Sequence, residues 1–87
     1  MNTGIRDFIT EIKNIEGRRV SIKTAHKLYG NQSIEIDFKI IDDTSRLGFK
    51  VKGQAIYIEK SALIDYGIIG NLYYFASDLM RIELKTI

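Results

Sequence analysis

The residues best placed to do chemistry in this chain are cations gathered in its first third. The segment from Gly17 to Ile34 carries basic side chains and no acidic one, namely Arg18, Arg19, Lys23, His26 and Lys27. Cations without neighbouring carboxylates attract phosphate groups or an acidic protein surface. The formal net charge is only +2, so the placement of the charges, more than their sum, indicates anion binding.

His26 and the pair Asp42-Asp43 are the other side chains that could bind a ligand. His26 is the only histidine and there is no cysteine, which excludes a two-histidine metal site and a Cys–His catalytic pair within one chain. We predict that His26 is hydrogen-bonded at the margin of the core; ligand contact or pH sensing is the alternative. The stretch 42–45 lacks the spacing of a calcium loop, and we interpret it as a turn.

Nucleotide-binding and hydrolase motifs are absent from the sequence. It contains no Walker A sequence, no G-x-S-x-G and no G-x-G-x-x-G, and its glutamates are scattered over predicted solvent faces. Isolated carboxylates do not form the pair that general acid–base catalysis needs. We therefore predict a non-enzymatic protein with no cofactor and no metal.

The 87 residues are enough for one domain, which we place at residues 1–87. No segment approaches the roughly 18 uncharged apolar residues of a membrane span, and no basic stretch precedes an apolar run at the start. With no cysteine, these features predict a cytoplasmic protein without a membrane partner. Isoleucine is abundant and proline absent, which keeps a bacterial, phage or mobile-element origin open.

An amphipathic helix is predicted over residues 5–15. Its apolar residues recur at i, i+3, i+4, i+7 and i+10, namely Ile5, Phe8, Ile9, Ile12 and Ile15. Thr3 is the predicted N-cap and Gly17 the predicted C′ residue. A helix of about three turns does not persist alone in water, so we expect its apolar stripe to cover a sheet.

The centre of that sheet is predicted at residues 33–41, where apolar side chains alternate with charged ones at Ile34, Ile36, Phe38 and Ile40. The same period of two predicts three further strands, at residues 18–29, 46–52 and 55–60. Turn residues at 30–32, 42–45 and 53–54 join the four strands into an antiparallel meander.

These turns set a register that gathers the apolar positions on one face. The predicted inner pairs include Leu28/Ile34, His26/Ile36, Phe38/Phe49 and Val51/Ile56. On the outer face the same register pairs opposite charges, as Lys27/Glu35, Asp37/Lys50 and Glu35/Lys52. It also sets Lys23 opposite Lys39, and like charges opposed in a sheet are mildly destabilising.

Two interpretations stay open for the last part of the chain. Residues 61–67 fit one short helical turn. From Asn71 on, the sequence fits either two strands joined by a turn at 77–78 or one helix. We favour the strands because apolar residues alternate strictly with charged ones, at Met80, Ile82 and Leu84.

The predicted fold class is α+β: an N-terminal amphipathic helix packed on a strongly bent antiparallel β-meander of four to six strands, or a small barrel. One leading helix followed by antiparallel strands resembles the element order of Sm-like small barrels. The resemblance is in element order alone, because the Asp-to-Asn motif around the second turn of those proteins is not present in residues 41–47.

A partner-binding surface is predicted at one end of the outer face. The register gathers four cations around Ile41, next to Gly48. The cations are Arg19, Lys23, Lys39 and Arg46. Tyr73 and Tyr74 join it as interface aromatics. We predict a binding module that acts through protein–protein contacts as a homo-oligomer, such as a bacterial or phage accessory or inhibitor protein. The alternative is a nucleic-acid-binding small β-barrel-like domain that uses this basic sheet face.

Overall fold

The computed structural model describes residues 4–26 and 30–87, which form one helix, eight strands and a 3₁₀ turn. In chain order they are α1 (Ile5–Lys13), β1 (Val20–His26), β2 (Gly30–Glu35), β3 (Phe38–Asp42), β4 (Arg46–Val51), β5 (Gln54–Glu59), the 3₁₀ turn (Lys60–Ala62), β6 (Asp65–Ile69), β7 (Leu72–Ala76) and β8 (Met80–Thr86). The strands form a five-stranded sheet in the order β2-β1-β8-β7-β6 and a three-stranded sheet in the order β3-β4-β5. The fold is mostly β with one helix, compatible with the predicted α+β class; the described strands exceed the predicted four to six, and their two sheets do not close into a barrel.

The core lies between the two sheets and the helix. Its buried side chains come from all three, and they are Phe8, Ile12, Ile15, Val20, Ile22, Phe38, Leu47, Phe49, Ile58, Phe75, Ile82 and Leu84. Phe8 anchors the helix, because its ring centroid lies 5.3 Å from that of Tyr66 and 6.1 Å from that of Phe75. The prediction that the helix covers the sheet with its apolar stripe is confirmed, and α1 contacts both sheets, at β3 and β6.

The helix is shorter than its apolar pattern predicts. It ends at Lys13, although Ile15 beyond it is still buried. Gly17 has a φ of +82°, and the amide after it donates to the carbonyl of Ile15 at 3.1 Å. Gly17 has the left-handed conformation of a C′ glycine, but the C-cap is Asn14, so Gly17 lies in a turn beyond the helix and the predicted C′ position is wrong. The predicted N-cap, Thr3, lies outside the described residues.

The predicted central strand, residues 33–41, is divided into β2 and β3 by a bend at 36–37. In β2 the register with β1 sets Ala25 opposite Gly30 and Ser21 opposite Ile34. The predicted turn at 30–32 and the pairs that depend on it, Leu28/Ile34 and His26/Ile36, are therefore wrong. Leu28, Lys27 and the side chain of His26 lie outside the part of the chain that the structure describes.

The bend at 36–37 changes which residues of this segment point towards the core. Ile34 is 56% exposed and Ile36, in the bend, is 55% exposed, whereas Phe38 after it is 4% exposed. A regular strand would keep these three residues on one face, so the bend shifts the phase by one residue. Ile34 and Ile36, which the alternation assigns to the core, are surface residues.

Both hairpins of the three-stranded sheet differ by two residues from the predicted register. Phe38 pairs with Val51 and not with Phe49, and Val51 pairs with Gln54 and not with Ile56. Each side chain keeps its predicted face, because a shift by two preserves the alternation. Of the predicted outer pairs, Asp37/Lys50 is wrong because Lys50 faces another residue, Lys39.

The strand interpretation of the C-terminal residues is confirmed, and the helix alternative is wrong. The turn between β7 and β8 is closed by the Ser77 amide, which donates to the Met80 carbonyl at 2.8 Å. β8 also pairs with β1, so the first and the last strand are neighbours in one sheet. The helical turn predicted at 61–67 is wrong beyond the 3₁₀ turn, because β6 begins at Asp65 and pairs with β7.

Candidate binding surfaces

The predicted basic patch is divided between the two sheets. Lys23 lies on β1 and Lys39 on β3, so their predicted opposition is wrong. Lys23 instead faces Gln32 on one side and Glu83 on the other. Lys39 faces Lys50. An opposed pair of cations therefore exists on one sheet, with a different partner, and partner binding by Lys23 and Lys39 stays a prediction.

Three of the predicted site residues share one surface. Lys39, Ile41 and Arg46 lie on the outer face of the three-stranded sheet, because their neighbours in β3 and β4 alternate into the core. Arg19 is separate from them, since it directly precedes β1 and its carbonyl accepts the amide of Ile87 at 3.0 Å. The structure thus brings Lys39, Ile41 and Arg46 together and leaves Arg19 on the other sheet.

The two predicted interface tyrosines lie on opposite faces of β7. Tyr73 is half-buried and packs against the core. Tyr74 lies on the outer face, where the guanidinium of Arg81 stands 4.4 Å from its ring centroid. Its hydroxyl lies over Gly67, and a Cβ at position 67 would be 2.8 Å from the hydroxyl oxygen. Arg81 and the sheet therefore already cover much of the Tyr74 ring.

One end of the outer face of the five-stranded sheet is apolar. A row of cross-strand neighbours runs over all five strands as Ile34, Ser21, Lys85, Leu72 and Ile69. The ends of the row, Ile34 on β2 and Ile69 on β6, are 56% and 64% exposed. Ile36 and Ile87 each lie two residues beyond this row, at the same end of the sheet, and are 55% and 67% exposed. We call this surface the apolar face; it consists of Ile34, Ile36, Ile69, Leu72 and Ile87.

The charges next to the apolar face differ between its two sides. Towards β1 and β8 they are positive, because Lys85 lies within its row and the carbonyl of Arg19 accepts the amide of Ile87. Glu83 lies in the next row and is already ion-paired with Arg81 at 2.7 Å. At the bend, Asp37 and Glu16 line the same pocket as Ile36.

The outer face of the three-stranded sheet carries Lys39, Ile41, Arg46, Gly48, Lys50, Ala55, Tyr57 and the acidic Glu59, which is the cross-strand neighbour of Arg46. We call the part that consists of Lys39, Ile41, Arg46, Gly48, Lys50 and Tyr57 the cationic face. Lys39 and Lys50 are exposed and opposite each other, and within residues 4–26 and 30–87 neither forms an ion pair. In the next row Gly48 lies between Ile41 and Tyr57. Tyr57 is 40% exposed, and the guanidinium of Arg46 stands 5.0 Å from its ring centroid.

Asp43 holds Arg46 beside this face. Its Oδ1 accepts the backbone amides of Ser45 at 3.1 Å and of Arg46 at 2.8 Å. Such local hydrogen bonds of an aspartate are what the turn prediction rests on, but the turn lies one residue later than the predicted 42–45 and is closed between Asp43 and Arg46. Its Oδ2 lies 2.6 Å from the guanidinium of Arg46. The side-chain hydrogen bond between them lowers the pKa of Asp43 and raises the pKa of Arg46. Arg46 is therefore a fixed and partly neutralised cation.

Asp42 neutralises two more cations behind the turn. Its carboxylate lies 2.8 Å from the Nζ of Lys13 on the helix and 2.6 Å from the Nζ of Lys60. The hydrogen bonds from Lys13 and then from Lys60 lower the pKa of Asp42. Lys13, Lys60 and Arg46 thus all have acidic partners, and this distinguishes them from Lys39 and Lys50.

A cavity of about 160 Å³ opens between the two sheets near the tip of the β4–β5 hairpin. Glu35 lines it with a side chain that is only 11% exposed, and Lys52 lies 3.6 Å from the carboxylate. The predicted contact between these two residues thus exists, although it joins the two sheets and is not a pair of strand neighbours. Among the described residues no buried polar side-chain atom lacks a hydrogen-bond partner, so no unpaired group of the cavity indicates a ligand.

Sequence analysis missed the apolar face and half of the cationic face. It placed Ile34 and Ile36 in the core because the alternation runs on through the bend without a break. It assigned Lys50 to the acidic neighbour Asp37 because the turn between β3 and β4 was placed one residue too early. One signal was available in Ile68-Ile69, since two adjacent isoleucines in a strand must put one side chain on each face.

Residues 4–26 and 30–87 contain no group of three or more side chains that could hold a metal ion, and no helix there is long and apolar enough to cross a membrane. Comparison of the chain with protein-family models, curated proteins and solved structures gave no significant match.

Proposed function

We propose that this chain is a non-enzymatic binding module that acts through protein–protein contacts and associates with copies of itself. The observation that carries the proposal is the apolar face, where four isoleucines, each more than half exposed, lie at one end of one sheet. Single exposed isoleucines are ordinary on a protein surface, whereas four of them along one end of a sheet, two of them on its edge strands, point to an interaction site.

The free edges of the five-stranded sheet support self-association. Within the described residues β2 and β6 each pair on one side only, and each carries an exposed isoleucine of the apolar face. Native edge strands are commonly protected from pairing by Lys or Pro. Neither residue occurs in β2 or β6, and the whole chain has no proline. An added strand would meet a row of open backbone groups beside apolar side chains.

Charge favours edge pairing over stacking of two apolar faces. Face-to-face stacking would bring Arg19 and Lys85 of one copy close to the same cations of the other, which is unfavourable. Pairing along β2 keeps these cations on separate strands and covers Ile34 and Ile36. Two identical edges related by a two-fold axis run antiparallel, which is the commoner way for two strands to pair.

The test is the mass of the purified protein in solution, measured by light scattering over a wide dilution range at low and high salt. We expect a mass above the 10.0 kDa of one chain, and little dependence on salt because the contact is apolar. The double variant Ile34→Thr/Ile36→Thr keeps branched side chains that suit a strand, and it is expected to shift the protein towards the monomer.

The matched control is Ile64→Thr. Ile64 is 66% exposed but lies outside the strands and away from the apolar face. This variant should keep the wild-type mass. A wild-type protein that is monomeric at every concentration contradicts the proposal, and so does a control variant that dissociates as readily as the double variant.

A further inference from the structure

We infer that the cationic face binds single-stranded nucleic acid, with one backbone phosphate held between Lys39 and Lys50 and with Tyr57 as the surface on which a base stacks. This inference goes beyond the proposed function, because the cationic face lies on the three-stranded sheet and the apolar face on the other one. The two surfaces share no residue, so each can fail without the other.

The two lysines are placed at a cost that an anion would remove. Cross-strand partners have Cβ atoms about 4.5–5.5 Å apart, and like charges directly opposite each other are unfavourable. Lys39 and Lys50 are such partners, and no acidic residue in the described part of the chain is ion-paired with either. A phosphate between the two ammonium groups turns their repulsion into two favourable contacts.

Tyr57 is held in place one row further along the sheet. Its Cβ would lie 2.6 Å from a Cβ at position 48, so only the glycine there leaves room for it. Arg46 stands 5.0 Å from the ring centroid and is itself fixed by Asp43. A ring that is ordered before binding loses little conformational entropy when a base stacks on it.

The distance between the two rows suits one nucleotide. Residues two apart on a strand are about 6.8 Å apart, so the lysine row and the tyrosine row are neighbours on the surface. A phosphate on Lys39 and Lys50 and a base on Tyr57 therefore belong to the same short stretch of strand. Stacking is the reason to choose nucleic acid over an acidic peptide, because a carboxylate gains nothing from an aromatic ring.

The corresponding surface of the five-stranded sheet lacks these properties. Both outer-face tyrosines have an ion-paired arginine over the ring, Arg81 at 4.4 Å from Tyr74 and Arg46 at 5.0 Å from Tyr57, but Tyr57 is exposed whereas Tyr74 is only partly exposed. Lys23 faces Glu83, the ion-pair partner of Arg81. These charges are paired within the protein, so the free cations and the exposed ring coincide on the cationic face.

The experiment is fluorescence anisotropy with labelled oligo-dT and oligo-U, on the full chain, at several salt concentrations. One phosphate held by both lysines predicts that the logarithm of the binding constant falls with the logarithm of salt with a slope of about −0.7. Tyr57→Leu should weaken binding about tenfold without changing this slope, because it removes stacking and no charge.

Charge reversal separates binding from folding. Lys39→Glu and Lys50→Glu each replace an unfavourable pair by a favourable one, so the melting temperature should stay the same or rise. Each variant should nevertheless bind the oligonucleotides about tenfold more weakly or worse. The control is Arg6→Glu, which makes the same change in net charge at an exposed position in the first turn of α1. It should bind as the wild type does.

Three results would overturn the inference. They are wild-type affinity in Lys39→Glu, an equal loss in Arg6→Glu, and competition by poly-glutamate as effective as that by unlabelled oligo-dT. The measurement is repeated on Ile34→Thr/Ile36→Thr, which alters the apolar face alone. Phosphate contacts of a single chain should give the same salt slope in that variant, so a failure of self-association is distinguished from a failure of nucleic-acid binding.

Discussion

Gly48 lies at the centre of the cationic face, between Ile41 and Tyr57, where the sheet leaves no space for a side chain. A Cβ at this position would overlap the carbonyl oxygen of Ile56 and the Cα of Tyr57, which are backbone atoms. Since backbone in the middle of a hairpin cannot move freely, Gly48→Ala should destabilise the protein by about 2 kcal/mol or more. Urea unfolding followed by circular dichroism measures this loss.

Gly67→Ala is the matched control at the residue scale. There the new Cβ would meet the Tyr74 hydroxyl at 2.8 Å, which is the end of a side chain and can rotate away. The expected loss is about 0.5 kcal/mol or less. Equal losses in the two variants would show that the close approach at Gly48 does not limit the packing of the sheet.

Asp42 carries a pH dependence that can be measured. Lys13 and Lys60 lower its pKa in the folded state below the ordinary value of 3.8. A lowered pKa stabilises the fold above the unfolded value, and this contribution is lost as the pH falls through the folded pKa. At neutral pH Asp42→Asn should cost about 1 kcal/mol, given that solvent screens part of these ion pairs.

The difference between wild type and Asp42→Asn should shrink as the pH falls below about 4 and vanish once the aspartic acid is protonated. Urea unfolding at a series of pH values gives this difference directly. Asp43 also has a lowered pKa, but it is present in both proteins and cancels. A difference that stays constant down to the lowest pH is the outcome that would contradict this account.

At the scale of the elements, the hairpins show what alternation predicts and where it stops. The period of two assigned the faces of β4 and β5 correctly, because any register shift by an even number of residues gives the same assignment. The pairs themselves depend on the turns, and the β4–β5 turn has Lys52 and Gly53 at its centre, both with positive φ. Lysine is not a residue expected there, so the sequence favoured a turn one residue later.

Lys52 therefore offers a test of the turn. A type I′ turn needs positive φ at both central residues, and Asn adopts it at lower cost than Lys. Lys52→Asn should stabilise the protein by about 0.5–1 kcal/mol, since the Glu35 contact that it removes is 3.6 Å long and its lysine is 79% exposed.

The measurement is thermal unfolding of Lys52→Asn beside Lys23→Asn. Lys23 lies within β1 opposite Glu83, where Asn is disfavoured and lacks the positive charge, so this second variant should lower the melting temperature. The reverse order of the two melting temperatures would be evidence for the type II′ turn at 53–54.

The bend between β2 and β3 explains most of what sequence reasoning could not find. An alternating pattern contains no sign of a one-residue change of phase, so Ile34 and Ile36 look like core residues as much as Phe38 does. The bend lets one segment of chain pair with β1 in one sheet and with β4 in the other. Because of it, the predicted basic patch is divided and the apolar face exists.

At the scale of the whole molecule, one helix connects the two sheets. Phe8 is fully buried, and its ring reaches Tyr66 and Phe75 of the five-stranded sheet. After the helix, the Glu16 carboxylate accepts the amide of Ile40 at 2.5 Å, which covers part of the outer edge of the three-stranded sheet. Helix, apolar stripe and α+β class were all predictable, because a strong period of 3.6 depends on no register.

Phe8→Ala should therefore weaken both sheets together. Removing a buried Phe side chain costs about 3–5 kcal/mol, a large part of the stability of about 0.05–0.15 kcal/mol per residue that small domains have. The melting temperature should fall by about 12 °C or more, and Ile9→Ala, at a partly buried position of the same helix, should lower it less.

Circular dichroism and tyrosine fluorescence should give one shared transition, because Tyr57 belongs to one sheet and Tyr66, Tyr73 and Tyr74 belong to the other. Two separate transitions would mean that each sheet is stable without the helix, and the core would then consist of two independent parts.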